Sequence, residues 1–176
     1  MKHVYITNGM GGCGKDTFAK FLSSVAYCGV RKISSIDPIK GIAEDSCGWT
    51  GGKTEKDRKF LSDLKCLMTE YNDLPFWYMK TWYDDFQNND REDVLLIDIR
   101  EPAEIARAVK EFGAKTILIR NDRIPHIHSN MADDGVFNYE YDFVIENNGT
   151  LEEFKDATRR FAEAEGLIYE QLESAQ

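Results

Sequence analysis

The stretch Asn8–Lys20, NGMGGCGKDTFAK, decides the fold. Gly9, Gly14 and Lys15 satisfy a G-x-x-x-x-G-K spacing, the pattern of a loop whose backbone N–H groups cradle phosphates. Glycines at 11, 12 and 14 permit unusual dihedrals and close approach of an anion. The start of the following helix adds a partial positive charge and Lys15 a full one. One residue departs from the pattern: Asp16 stands where Ser or Thr ordinarily reaches a magnesium ion, with Thr17 one step later. A carboxylate about 4 Å from a phosphate charge costs about 4 kcal/mol at an effective dielectric of 20. Asp16 therefore either faces away or shares a cation with the phosphates; as a first-turn residue it also gains about 0.3–1 kcal/mol from the helix dipole.

Outward from the loop, Val4–Ile6 reads as a strand feeding it, and Phe18, Phe21, Leu22 and Val25 recur at helical spacing behind it. Residues 32–36 read as a second strand, with Asp37-Pro38 as the N-cap and N1 of a helix. Thr54–Asp57 resembles a capping box, followed by one apolar stripe of Phe60, Leu61, Leu64, Leu67, Met68 and Tyr71. Pro75 opens the aromatic segment FWYMKTWYDDF. VLLIDI (94–99) is apolar enough to be a strand buried on both faces. A helix from Pro102 to about Gly113, a strand KTILIR (115–120), a strand at 143–145 and a helix from Leu151 to about Glu165 complete the alternation. Such alternation implies a parallel sheet with right-handed crossovers, and it places the glycine loop at the carboxyl end of the first strand, where open α/β sheets bind ligands.

Bulk properties narrow the function. The chain has 176 residues, 42% apolar and 30% charged, with a formal charge of −9; this suits one globular domain and disfavours nucleic acid polymers or an anionic membrane as partners. No apolar run approaches a membrane span of about 20 residues. A strand at the very start leaves no room for a signal peptide. The cysteines, 13, 28, 47 and 66, form no close pairs, so they read as reduced thiols of a cytoplasmic protein.

Further blocks make the chain familiar. GKDT, with SSIDPIKGIAEDSCGW (Asp37, Pro38, Lys40, Gly48, Trp49), KDRKFLSDL, LLIDIREPAEIARAVKEFGA (Asp98, Arg100, Pro102, Glu104) and DFVIENNGTLEEF, resembles in order the deoxynucleoside monophosphate kinases of phage and bacteria, within the adenylate-kinase-like group. Cys13 replaces a small or hydroxyl residue of that family, and Glu101 and Ala103 replace its Phe and Asn. The resemblance implies a single domain, 1–176, of the P-loop NTP hydrolase/NMP kinase fold: α/β, with a five-stranded parallel sheet in the order 2-3-1-4-5 flanked by helices. It also implies a helical nucleotide-binding insertion at about 38–90, a lid at 121–140, and transfer of the ATP γ-phosphate to a (deoxy)nucleoside monophosphate with Mg²⁺.

Residue roles follow. Gly9, Gly11, Gly12, Cys13, Gly14, Lys15, Asp16 and Thr17 are expected to hold ATP, with Asn148, otherwise a turn residue, toward the adenine. Asp98 suits magnesium with Asp16, or else caps the next helix. Arg100 suits bidentate phosphate contact, or else an ion pair with Glu101 or Glu104. Arg120 and Arg123, flanking the lid, are expected to meet the transferred phosphoryl group with Lys15 and Arg100. Asp37 (or an N-cap), Lys40, Arg58 and Glu104 fall on the acceptor side, with Trp77 as stacking surface or core. His126, His128, Asp133 and Asp134 form no metal spacing. Kinases of phosphomevalonate or dephospho-CoA and a non-catalytic ATP sensor are the rivals. The oligomeric state, a homodimer among the alternatives, has no signature in these residues.

Overall fold

The computed structural model describes residues 1–124 and 136–168. Five strands, β1 (His3–Asn8), β2 (Val30–Ser34), β3 (Val94–Asp98), β4 (Lys115–Arg120) and β5 (Phe143–Glu146), form one parallel sheet ordered β2-β3-β1-β4-β5. The described helices are α1 (Lys15–Val25), α2 (Asp37–Cys47), α3 (Glu55–Asn72), α4 (Leu74–Gln87), α5 (Pro102–Phe112) and α6 (Leu151–Ala164).

Alternation along buried strands sends successive side chains to opposite faces. Tyr5, Val94 and Leu96 meet Phe18, Leu22, Phe154 and Phe161 of α1 and α6 on one face. Val4, Ile6, Leu95 and Ile97 meet Phe76, Met79, Phe86, Ile105 and Phe112 of α4 and α5 on the other. β3 is fully buried from Val94 to Ile97, as its unbroken apolar run requires. The expected capping box is present, Thr54 with Asp57, and a second, Thr150 with Glu153, opens α6.

Three local expectations need correction. β2 lies two residues earlier than 32–36, because its ladder opens at Gly29, whose carbonyl accepts from the Asp93 and Val94 amides. Asp37 is not an N-cap: it is the first helical residue, and its carboxylate accepts from the Ser34 amide upstream at 2.7 Å. The α3 stripe is only partly internal. Leu67 and Tyr71 are exposed, whereas the buried residue of the helix is Lys65. α3 packs on α2 and α4 rather than on the sheet, so its apolar period outruns the surface available to cover it.

The strand register does the positioning. Thr7, Asp98 and Ser34 lie side by side at the carboxyl edge of β1, β3 and β2. Lys32, two residues before Ser34, shares their face. The sheet edge thus brings an acid, a lysine and hydroxyls to the mouth of the glycine loop.

Candidate active site

The loop between β1 and α1 is built around glycines nothing else could replace. Gly9 has φ +146°, and a Cβ there would lie 2.4 Å from the Ile119 carbonyl oxygen and 2.6 Å from Cys13 Sγ. Gly14 has φ +110°, and its Cβ would meet Asn147 Nδ2 at 2.6 Å. Buried Asn8 anchors the entry: its Oδ1 accepts from the Gly9 amide, and its Nδ2 donates to the Arg100 carbonyl and the Tyr141 hydroxyl. Burial pushes that phenol up to about 12, keeping it a neutral donor to the Val136 carbonyl. Lys15 curls over the loop, its Nζ 2.8 Å from the Gly9 carbonyl and 3.3 Å from that of Met10. The α1 bonds begin with the Phe18 amide on the Gly14 carbonyl, so the first-turn amides face the loop without helical partners.

Cys13 departs from its expected part. Its side chain is buried under the loop, its amide bonds the Met10 carbonyl, and burial raises its thiol pKa. It packs the loop rather than facing a ligand. All four cysteines are free.

Before the loop opens a cleft of about 840 Å³, within the range of small-molecule sites. Gly11, Gly12, Gly14, Lys15, Asp16, Thr17, Asp98 and Arg100 line one part, and Asp37, Lys40, Trp49, Arg58 and Lys65 line the wall made by α2 and α3. A Cβ on Gly11 would lie 3.8 Å from Arg100 Nη2, so that guanidinium sits over the loop.

Asp16 and Asp98 converge on one cation, the ammonium of Lys32, a partner the sequence did not suggest. Lys32 Nζ lies 2.5 Å from Asp16 Oδ1 and 2.7 Å from Asp98 Oδ2, and Thr7 donates its hydroxyl to Asp98. The Lys32 hydrogen bond holds the Asp16 carboxyl below its ordinary value. Burial opposes the charge on Lys32, yet Asp98 and Asp16 outweigh it and raise its pKa. Two carboxylates already sharing an ammonium are a donor set that fits a hydrated divalent cation bridging to phosphates. No group of three or more His, Cys, Asp or Glu suited to a metal occurs among the described residues.

A second charged cluster lies beneath the α3 wall. Lys65 Nζ is 2.7 Å from both Glu101 Oε2 and Glu104 Oε2. Burial opposes both carboxylates. At Glu101 the Lys65 ammonium prevails and keeps the pKa low; at Glu104 burial and the neighbouring charge push it up to about 7.

Other expected residues fall elsewhere. Trp77 is 57% exposed on α4 and does not line the cleft; Trp49 does. Glu104 lines a small separate pocket of about 40 Å³ with Arg107 and Phe76. Arg120 pairs with Glu146 at 2.7 Å, and Arg123 donates to the Asn147 carbonyl, both outside the cleft. Asn148 bonds Asp122 and Glu146, whereas Asn147 reaches the loop, donating to the Cys13 carbonyl at 2.9 Å. Ile124 lines the cleft near Gly12. Of the lid expected at 121–140, residues 125–135 with His126, His128, Asp133 and Asp134 lie outside the described residues, whereas Val136 is buried in the core.

Lys32, Lys65, Trp49 and Asn147 are the site residues that reading the sequence did not single out by role. The period-two alternation of β2 toward the face of Asp98 is a signal for Lys32; NNGT carries none that separates its two asparagines.

The sheet order, the glycine loop at the end of β1 and the polar cleft beside it define a P-loop phosphotransferase that uses ATP. Similar solved structures are the tunicamycin resistance protein of Deinococcus radiodurans (14% identity, TM-score 0.57, covering 96% of this chain and 98% of that one) and TT1252 from Thermus thermophilus (16%, 0.56, 93% and 97%). Dephospho-CoA kinase from Campylobacter jejuni is another (15%, 0.52, 93% and 97%). No curated protein matches the chain. Residues 57–158 match the model of the deoxynucleotide monophosphate kinase family, and the chain belongs to that family. The matched span begins beyond the glycine loop, which is legible on its own geometry.

Proposed function

We propose that the chain transfers the γ-phosphoryl group of ATP to a deoxynucleoside monophosphate, giving the diphosphate and ADP. One observation carries the reading: a single cleft runs from the glycine loop past Asp98 and Arg100 to the α2–α3 wall with Lys40 and Arg58. It can hold a donor triphosphate and an acceptor phosphate end to end.

The loop amides and Lys15 hold the donor β- and γ-phosphates, and Thr17 hydrogen-bonds a phosphate oxygen. Lys40 and Arg58 neutralise the acceptor phosphate, with Asp37 ordering the bend between β2 and α2. Arg100 lies between the two and compensates charge on the equatorial oxygens. The bond from the γ-phosphorus to its bridging oxygen breaks as an acceptor phosphate oxygen bonds to it. The transition state is loose, so positioning and charge supply the catalysis and no general base is needed. Asp16 and Asp98 are the residues that would hold Mg²⁺, which neutralises charge on the β- and γ-phosphates when bound. Trp49 offers the acceptor an aromatic surface. These cations matter because the chain as a whole carries −9 and repels anions.

No helix among the described residues is long and apolar enough to cross a membrane. The test is ADP release from Mg-ATP with each nucleoside and deoxynucleoside monophosphate, with Lys15→Met as control. Turnover on a deoxynucleotide that the variant loses supports the reading. Silence across the panel with ATP still bound refutes it.

A further inference from the structure

We propose that Glu101, held by Lys65, reads the base of the acceptor nucleotide, and that the edge it fits is guanine's, with two adjacent N–H donors beside a carbonyl. The inference rests on the kinase reading above.

The trio Lys65, Glu101 and Glu104 has one positive charge for two carboxyl groups. Lys65, with a side chain only 9% exposed, is satisfied by both glutamates at 2.7 Å. One carboxylate would neutralise it. With Glu104 pushed up to about 7, Glu101 is the carboxylate that pairs with Lys65, and it keeps acceptor capacity on a cleft wall otherwise built for anions, where negative charge repels phosphate. Buried ion pairs are poor stabilising devices, since apolar residues of equal volume serve as well or better. A carboxylate that faces a cleft built for anions therefore calls for a ligand part that donates hydrogen bonds. In a nucleoside monophosphate only the base and sugar can do so.

Placement agrees. Arg58, Leu61, Ser62 and Lys65 all line the cleft, and their i, i+3, i+4, i+7 spacing is one helix face. Arg58 and Lys65 are thus separated by about 10 Å along α3 at 1.5 Å per residue. That span separates a phosphate end, marked by Arg58 and Lys40, from a base end, marked by Lys65 and Glu101. Glu101 also lines the cleft and is 36% exposed, whereas Glu104 turns to the small pocket behind. Glu101 is therefore the member that can meet a ligand. Lys65 holds its pKa down, while burial and the neighbouring charge push that of Glu104 up to about 7, which favours the negative charge on the cleft-facing carboxylate.

A carboxylate accepts two parallel N–H bonds, and an ammonium has three donors, two of them used here. Guanine offers N1–H and the 2-amino group to the carboxylate and O6 to Lys65. Adenine and cytosine each present one donor group beside a ring nitrogen acceptor, and thymine one N–H between two carbonyls. Neither pattern engages both carboxylate oxygens.

The experiment is kcat/KM for dGMP, dIMP, dAMP, dCMP and dTMP in the wild type and in Glu101→Gln. dIMP keeps O6 and N1–H but lacks the 2-amino group. Lys65 retains Glu104 in the variant, so its ammonium stays paired. We expect dGMP to be the best acceptor, favoured over dIMP on the order of 10- to 100-fold, as for hydrogen bonds to a charged group. In Glu101→Gln that ratio falls toward unity, with the loss in KM rather than kcat. The ratio is taken within one preparation, so a reduced folded fraction cancels. A ratio unchanged by the substitution, an equal loss on every acceptor, or a wild-type preference for another base overturns the inference while leaving the kinase. No turnover on any monophosphate overturns the kinase reading and the inference with it.

Discussion

Replacing Lys32 by Met removes the one cation that Asp16 and Asp98 share. The Asp98 contact dominates, because Lys32 and Asp98 are 26% and 13% exposed whereas Asp16 is 84% exposed. At 2.7 Å and an effective dielectric of 20 the gross attraction is about 6 kcal/mol, most of it offset by desolvation. The exposed Asp16 contact is worth roughly 0–1 kcal/mol. Breaking a fully buried pair costs about 3–5 kcal/mol; partial exposure lowers this to about 2–3 kcal/mol. For a chain of this size each kcal/mol lowers Tm by about 2–4 °C, so Lys32→Met should melt about 4–12 °C below wild type without metal. Two carboxylates left facing each other will take another cation. Millimolar Mg²⁺ should then raise the Tm of the variant by several degrees more than that of the wild type, where the ammonium competes. Thermal unfolding with and without Mg²⁺ measures both. A Tm within about 1 °C of wild type, or an equal Mg²⁺ response in the two proteins, would refute the shared-cation reasoning.

Other outcomes follow from single contacts. Gly9→Ala places a Cβ 2.4 Å from a backbone carbonyl at φ +146°; it should cost about 3 kcal/mol or more, read by urea unfolding. Asn147→Ala removes the bond to the Cys13 carbonyl and should cost about 1–2 kcal/mol while raising KM for ATP more than KM for the acceptor; Asn148→Ala should do neither. Trp49→Ala should raise the acceptor KM, and Trp77→Ala should leave it within about twofold, since single contacts outside a site change little. The Glu104 pKa, raised from 4.5 to about 7, stabilises the fold while the group stays protonated. That contribution is complete below the unfolded value and fades as pH rises through about 7. The Tm of wild type should therefore fall relative to Glu104→Gln between about pH 5 and 8.

What the sequence revealed depended on how local the signal was. The loop, β3 and the Thr54 capping box are legible because their cause lies within a few adjacent residues: glycine dihedrals, a run apolar on both faces, a hydroxyl three residues before an acid. The order of the sheet is not local, and it came only with the family resemblance. Lys32 was missed because its partners lie 16 and 66 residues away, brought together by register alone. Trp77 and Trp49 are both aromatic; which one faces the cleft is set by how α2, α3 and α4 pack on one another. The α3 period suggested six internal apolar residues, yet Leu67 and Tyr71 are exposed and Lys65 is buried. Ion pairing with Glu101 and Glu104 overrides hydrophobic pattern there, and no local rule signals it.

A bisubstrate ligand probes the continuity of the cleft most directly: adenosine and a deoxynucleoside joined by five phosphates, titrated as an inhibitor against each substrate. One cleft holding both nucleotides end to end predicts competition with ATP and with the acceptor alike, and binding tighter than either nucleotide alone. Competition with ATP only, at an affinity no better than that of ATP, would contradict the assignment of the α2–α3 wall to the acceptor.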